Sequence, residues 1–177
     1  MKEILTGFLA DESKTKSFAQ KFATSMREAR SAENLTTEQE NLPGWVVYLE
    51  GDLGAGKSFF SRAFIQDFLP GQKVKSPTYT LVETYQTELG KIHHFDLYRL
   101  CDPEELEFLA IRDLLEDSFV SLVEWPSKGA GVLPKADILI QLGHAESGRQ
   151  FSINAMNERA KVIVKKLTQK VGTDFDK

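Results

Sequence analysis

Hydrophobic positions along the chain follow two spacings that alternate from one segment to the next. Short runs of β-branched and aromatic residues are typical of buried strands, and apolar residues four positions apart are typical of one helix face. Residues 45–49 form the clearest predicted strand, and Phe60, Phe64 and Phe68 mark the clearest helix face. Further strands are predicted at 4–9, 74–86, 91–97, 119–123, 136–142 and 151–155, and further helices at 11–26, 102–115 and 161–170.

The order of these elements indicates the fold class. Strands that alternate with helices predict an α/β fold, in which helices cover a largely parallel sheet and an antiparallel strand can form an edge. The chain has no internal repeats and no low-complexity segments, so we expect a single domain over residues 1–177. A polar stretch at about 27–44 ends in Asn41-Leu-Pro-Gly44 and is interpreted as a helix tail followed by a loop or insert.

Residues 51–58 read Gly-Asp-Leu-Gly-Ala-Gly-Lys-Ser and match the phosphate-binding pattern G-x-x-x-x-G-K-[ST]. A predicted strand precedes the motif and a predicted helix follows it, as the motif requires. Glycines let main-chain amides curl around an anion, and the helix start adds unpaired N–H groups. Lys57 is expected to reach the β- and γ-phosphates, and the Ser58 hydroxyl to bind Mg²⁺. Motif and element order together predict a three-layer P-loop NTPase-like fold, with a mostly parallel central sheet and helices on both faces.

Two acidic residues end predicted strands and are candidates to help hold the metal. Asp96 ends the predicted strand that contains Ile92, and Glu124 follows the apolar stretch that starts at Phe119. Ligand sites in open α/β sheets gather at the carboxyl ends of the strands. One carboxylate could bind Mg²⁺ directly or through water, while the other could position the attacking water or hold the first in place.

Other segments near the predicted site have more than one interpretation. Residues 76–80, Ser-Pro-Thr-Tyr-Thr, lie where many P-loop proteins sense the γ-phosphate, and they can equally be a turn that leads into a strand. Trp125 can be a core residue, a base-stacking surface or a partner contact. His93 and His94 are not expected to form a metal pair, because adjacent residues on a strand point to opposite faces.

Composition narrows the classes of function. A formal net charge of −4 argues against a protein that binds nucleic acid by charge alone. The single cysteine, Cys101, cannot form an internal disulfide and favours a reducing compartment. No apolar run near the N-terminus is long enough for a signal peptide or a membrane helix, so a cytoplasmic protein without membrane contacts is expected.

Several motifs occur in an order that resembles one known family. Besides residues 51–58, they are Lys-Ser-Pro-Thr-Tyr-Thr-Leu at 75–81, His-Phe-Asp-Leu-Tyr-Arg-Leu at 94–100, Asp-Pro-Glu-Glu-Leu-Glu-Phe at 102–108, Val-Glu-Trp-Pro at 123–126 and Gly-Val-Leu-Pro at 131–134. Together they closely resemble the TsaE (YjeE) family of bacterial P-loop ATPases over about residues 45 to 155.

The resemblance implies a biological role. Proteins of this family are the ATPase component of the machinery that makes threonylcarbamoyladenosine at position 37 of ANN-decoding tRNAs. The implied partner is the TsaB–TsaD heterodimer, and the implied contact with tRNA is indirect, through that complex. Hydrolysis is expected to be weak in the isolated chain and dependent on, or stimulated by, the partners.

The same resemblance implies roles for individual residues. Lys57, Asp96 and Glu124 would be catalytic, and Ser58, Glu124 and Asp96 would lie at the metal. Thr78 and Thr80 would belong to a switch-like segment. The residues implied to bind ATP or ADP are Gly51, Asp52, Leu53, Gly54, Ala55, Gly56, Lys57, Ser58, Phe59, Thr78, Thr80, Trp125 and Arg149. Ser58 stands where Thr is common in the family, a change that keeps the hydroxyl group.

A small-molecule kinase that uses the same loop is the alternative. A kinase normally needs an arginine-rich lid and an acceptor pocket, and the polar segment at 27–41 offers only Arg27 and Arg30. A GTPase is disfavoured because the chain has no Asn-Lys-x-Asp motif to read the base. A nucleotide-dependent scaffold would differ from the ATPase only in its turnover rate.

Overall fold

The computed structural model describes residues 3–36, 38 and 42–176. The strands are β1 (Ile4–Leu9), β2 (Trp45–Glu50), β3 (Val82–Thr87), β4 (Gly90–Asp96), β5 (Val120–Glu124), β6 (Ile138–His144) and β7 (Arg149–Ala155). The α-helices are α1 (Glu12–Thr36), α2 (Lys57–Phe68), α3 (Ile111–Glu116) and α4 (Glu158–Val171), and short 3-10 helices span Pro103–Leu109 and Pro126–Gly129. None of the helices in the described ranges has the length and apolar character needed to span a membrane.

The described strands form one sheet in the order β1-β7-β6-β2-β5-β4-β3. Strands β6, β2, β5 and β4 are parallel, which confirms the predicted parallel core of the sheet. Antiparallel pairing occupies both edges, where β3 pairs with β4, β6 with β7 and β7 with β1. The first two pairs are hairpins with loops at 88–89 and 145–148. Connections this short can join only antiparallel strands.

Helical layers cover the central strands on both faces. Because side chains alternate along a strand, Trp45, Val47 and Leu49 on β2 pack into the cluster that includes α1, α2 and α4. Val46 and Tyr48 instead pack against a second cluster, to which α3 and the 3-10 helix at 103–109 contribute. The predicted three-layer arrangement is therefore confirmed, and the strands in its middle end at the loop between β2 and α2.

The polar stretch at 27–44 begins with a helix tail, as predicted. Residues 27–36 continue α1 as a helix. The guanidinium of Arg30 is buried there and donates a hydrogen bond to the Pro43 carbonyl (3.0 Å). Polar contacts thus hold this part of the helix in place, and an apolar pattern cannot reveal them. Residues 37 and 39–41 of the predicted loop lie outside the described part of the chain.

Two predicted elements differ from the structure. The predicted strand 74–86 begins only with β3, because Leu81 adopts a left-handed backbone conformation (φ 64°) that no extended strand contains. The predicted helix 102–115 is divided into a 3-10 helix and α3. Ala110, at the division, has φ 50°, and a left-handed residue cannot continue a right-handed helix.

Candidate nucleotide-binding site

The glycine-rich loop connects β2 to α2 along a path that only glycine permits at two positions. Gly51 has φ 151°, and a Cβ added there would lie 2.3 Å from the Leu142 carbonyl oxygen. Gly56 has φ 106°, and its added Cβ would lie 2.7 Å from the Arg149 guanidinium. Gly56 is also the N-cap of α2, so no side chain covers the N–H groups of the first helical turn. Those groups remain available for an anion.

The ammonium group of Lys57 lies within the loop, with only 5% of the residue exposed. Its Nζ donates hydrogen bonds to the carbonyl oxygens of Gly51 (2.5 Å) and Asp52 (2.9 Å). The same atom lies 4.4 Å from the centroid of the Trp125 ring. Burial lowers the pKa of Lys57, and nearby carboxylates oppose that shift. A cation that has lost most of its water gains strongly from an approaching anion.

Two carboxylates face the loop from the ends of neighbouring strands. Asp96 ends β4 and Glu124 ends β5, and the two residues are paired in the parallel register. The Ser58 hydroxyl donates a hydrogen bond to Glu124 Oε1 (2.9 Å). Asp96 Oδ1 accepts a hydrogen bond from the backbone N–H of Tyr98 (3.1 Å). Burial raises the pKa of Asp96, and the hydrogen bond from Tyr98 opposes that shift.

A cleft of about 380 Å³ lies between the loop and these carboxylates. Trp125, which follows Glu124 in the chain, also lines the cleft. Its backbone is left-handed (φ 57°), a conformation that is strained for an aromatic residue. Its ring packs against that of Tyr98 at 5.0 Å between centroids. Ten of the residues named from the sequence line the cleft: Leu53, Gly54, Gly56, Lys57, Ser58, Phe59, Thr78, Asp96, Glu124 and Trp125.

The other named residues lie around the cleft without lining it. Gly51, Asp52 and Ala55 belong to the loop, and Ala55 is buried beneath it. Thr80 turns away, since its hydroxyl donates to Glu83 Oε1 (3.0 Å). Arg149 starts β7 and borders a neighbouring cavity of about 290 Å³, which it shares with Gly54 of the loop. The structure therefore brings the catalytic and metal candidates together and places Arg149 on the other side of the loop.

His94 belongs to this constellation although sequence reasoning gave it no role. Its Nε2 lies 2.6 Å from Glu124 Oε2, and both residues are 1% exposed. His93 points to the other face, as expected, and its Nδ1 lies 2.8 Å from the Thr84 hydroxyl. The signal in the sequence was spacing: His94 precedes Asp96 by two residues, so both project from the same face of β4.

A glycine-rich loop between a parallel strand and a helix, facing two carboxylates at strand ends, defines a protein of the P-loop NTPase class. The sequence model of one family, described as threonylcarbamoyl adenosine biosynthesis protein TsaE, matches residues 9–151. The chain belongs to the TsaE family.

Individual relatives agree with this assignment. The tRNA threonylcarbamoyladenosine biosynthesis protein TsaE of Haemophilus influenzae is 43% identical over 162 residues, which cover 92% of this chain and 96% of that protein. The Bacillus subtilis protein of the same name is 32% identical over 72% of this chain and 80% of its own length. The crystal structure of YdiB from Bacillus subtilis superposes with a TM-score of 0.71 over 96% of this chain and 97% of that one. At 23% sequence identity, that likeness shows the common fold.

Proposed function

We propose that the chain binds ATP together with Mg²⁺ in the cleft beside the glycine-rich loop and hydrolyses it. The observation that carries the proposal is the hydrogen bond from the Ser58 hydroxyl to Glu124 Oε1 (2.9 Å). This contact joins the last residue of the loop motif to the end of β5. Lys57 lines the same cleft, so that a hydroxyl, a carboxylate and an ammonium group face one space, and this supports the binding of phosphates and Mg²⁺ there.

The loop and the start of α2 would bind the phosphates. Lys57 already donates two hydrogen bonds to carbonyl oxygens, and a phosphate would replace these acceptors with charged ones. Hydrogen bonds to charged acceptors are the stronger ones. Arg149, whose guanidinium lies against Gly56, adds a second cation beside the loop and supports its proposed contact with the nucleotide.

The oxygen donors of the cleft fit Mg²⁺, which in such sites is held by one or two carboxylates, a hydroxyl, waters and substrate phosphates. Ser58 and Glu124 are the proposed ligands, because their oxygens already lie within hydrogen-bonding distance of each other. When bound, the ion neutralises phosphate charge and polarises the phosphoryl group. Asp96 is left to orient the attacking water, and the Tyr98 amide fixes its carboxylate at the edge of the cleft.

As a member of the TsaE family, the chain has a role in the biosynthesis of threonylcarbamoyladenosine in tRNA. We propose that it acts in the cytoplasm with a TsaB–TsaD heterodimer, and that the partners stimulate an otherwise weak hydrolysis. A net charge of −4 supports contact with tRNA only through that complex. Because all described strands join one sheet, residues 1–177 are proposed to act as a single ATPase domain.

Two measurements test the proposal. Titration calorimetry should show ATP and ADP binding to the purified chain, more tightly with Mg²⁺ than with a chelator present. Phosphate release should be slow for the chain alone and should rise when TsaB and TsaD are added. A folded chain that ignores adenine nucleotides in magnesium buffer, with and without these partners, would refute the proposal. Phosphoryl transfer to a small acceptor without any partner would identify a kinase instead.

A further inference from the structure

The Glu124 carboxylate is held from two sides by two different elements of the fold. Ser58, at the start of α2, donates to Oε1, and His94, on β4, lies 2.6 Å from Oε2. Glu124 and His94 are each 1% exposed, so neither side chain has bulk water as a substitute partner. A carboxyl group buried in this way adopts the orientation that its hydrogen-bond partners impose.

The direction of the His94 contact follows from its surroundings. A carboxylate accepts hydrogen bonds, so the imidazole must carry a hydrogen on Nε2. Its Nδ1 is buried and has no hydrogen-bond partner among the described residues. The tautomer with its one hydrogen on Nε2 leaves only a lone pair unpaired, whereas a hydrogen on Nδ1 would leave a buried donor unpaired. With Nε2 engaged in this way, His94 offers no lone pair to a metal on the side of Glu124.

The two hydrogen-bond donors to Glu124 have different roles in the proposed function. The Ser58 hydroxyl is itself a proposed metal ligand, so its bond to Glu124 must change when the ion arrives. The His94 bond lies behind the carboxylate and can persist. We propose that His94 is a positioning residue, which holds Glu124 in the orientation that binds Mg²⁺. This inference rests on the proposed function and deepens it, since it names the group that prepares the metal site.

The test compares variants in the purified chain by calorimetry, with ADP and ATP, in Mg²⁺ and in chelator. The measured quantity is the ratio of the two dissociation constants, chelator over Mg²⁺, for each nucleotide. His94→Leu removes the donor at similar volume, and hydrogen-bond partners of metal ligands contribute about 10- to 100-fold to metal affinity. We therefore expect the ratio to fall by about 10- to 100-fold, while the dissociation constant in chelator changes little.

Two conservative variants guard against a loss of folding. In His94→Gln the side-chain amide N–H reaches about as far as Nε2, whereas in His94→Asn it stops near the position of Nδ1. We expect the ratio of dissociation constants for His94→Gln to stay near that of the unmodified chain, and the ratio for His94→Asn to fall. His93→Leu is the matched control, because His93 directly precedes His94 on β4, is also 1% exposed, and contacts Thr84 on the other face.

Each result bears on one claim. If the unmodified chain binds no nucleotide, or binds it equally with and without Mg²⁺, the proposed function fails. If it binds with Mg²⁺ but the folded His94 variants keep the same ratio, His94 does not position Glu124. Equal losses in His94→Gln and His94→Asn would also overturn the inference, as would a loss in His93→Leu as large as that in the His94 variants.

Discussion

Replacing Lys57 with alanine removes an ammonium group that lies close to both the loop carbonyls and the cleft carboxylates. In the structure this lysine makes two hydrogen bonds and a contact with the Trp125 ring. Its burial disfavours the charged form, as the lowered pKa shows. These effects oppose each other, so we expect the stability of Lys57→Ala to change by no more than about 1 kcal/mol, or about 2–4 °C in the unfolding midpoint.

For nucleotide binding, no opposing gain offsets the loss of the ammonium group. A hydrogen bond to a charged partner contributes about 1.5–3 kcal/mol. At 1.4 kcal/mol per tenfold, ATP affinity should fall by about 10- to 150-fold. Loss of a donor that stabilises developing charge lowers turnover by about 100- to 1,000-fold.

Calorimetry and phosphate release in the presence of TsaB and TsaD measure the two effects separately. Lys73→Ala, which removes an exposed lysine beyond the end of α2, is the control and should leave both unchanged. ATP affinity within twofold of the unmodified chain, in a Lys57→Ala protein with an intact fold, would refute this reasoning.

Three other predictions concern the loop and the carboxylates. Gly51→Ala should destabilise the fold more than Gly54→Ala in denaturant unfolding, since only the first places a Cβ within 4 Å of other atoms. Gly54→Ala should cost about 1–2 kcal/mol from its positive φ alone. Equal losses of stability in the two variants would contradict this, because they would show that the Cβ of residue 51 meets no clash. Because burial raises the pKa of Asp96, its ionised form destabilises the folded chain above that pKa, and the penalty disappears as the pH falls through it. Asp96→Asn should therefore be the more stable protein at pH 7 in thermal unfolding, by a margin that shrinks towards acidic pH, and a pH-independent margin would contradict this. Glu124→Ala should weaken ATP binding by about tenfold or more with Mg²⁺ and leave calorimetric binding in chelator no weaker. Equal losses would place Glu124 outside the metal site.

Local patterns were sufficient to predict the elements that frame the site. The glycine-rich loop lies between a short apolar strand and a helix with a regular row of Phe residues, and both flanks carry their own periodicity. Asp96 and Glu124 each end a predicted strand, and in a parallel sheet such strand ends meet at one edge. The general rule thus placed the two carboxylates together without any knowledge of their contacts.

Contacts between distant segments could not be predicted in this way. Residues 27–36 are polar in sequence, yet Glu33 pairs with Arg159 (2.5 Å), 126 positions away, and Arg159 also donates to the Pro43 carbonyl (2.8 Å). The 102–115 segment has helical spacing throughout, and nothing in that spacing shows that Ala110 turns left-handed. The contact of His94 with Glu124 spans 30 positions. The contacts of Glu33 and His94 depend on partners that the local pattern does not contain.

Charge in the cleft gives a physical reason for the proposed nucleotide and ion to bind together. Asp96 and Glu124 are neighbours in register, and both carboxylates act electrostatically on the ammonium group of Lys57. With both acids ionised, this set has one more negative charge than positive. A triphosphate beside it is repelled by the carboxylates, and burial strengthens that repulsion because less water screens it. A divalent cation between phosphates and carboxylates turns the repulsion into attraction. We therefore expect the acid at position 124 to favour ATP only in the presence of Mg²⁺, and the same side chain to oppose binding in its absence.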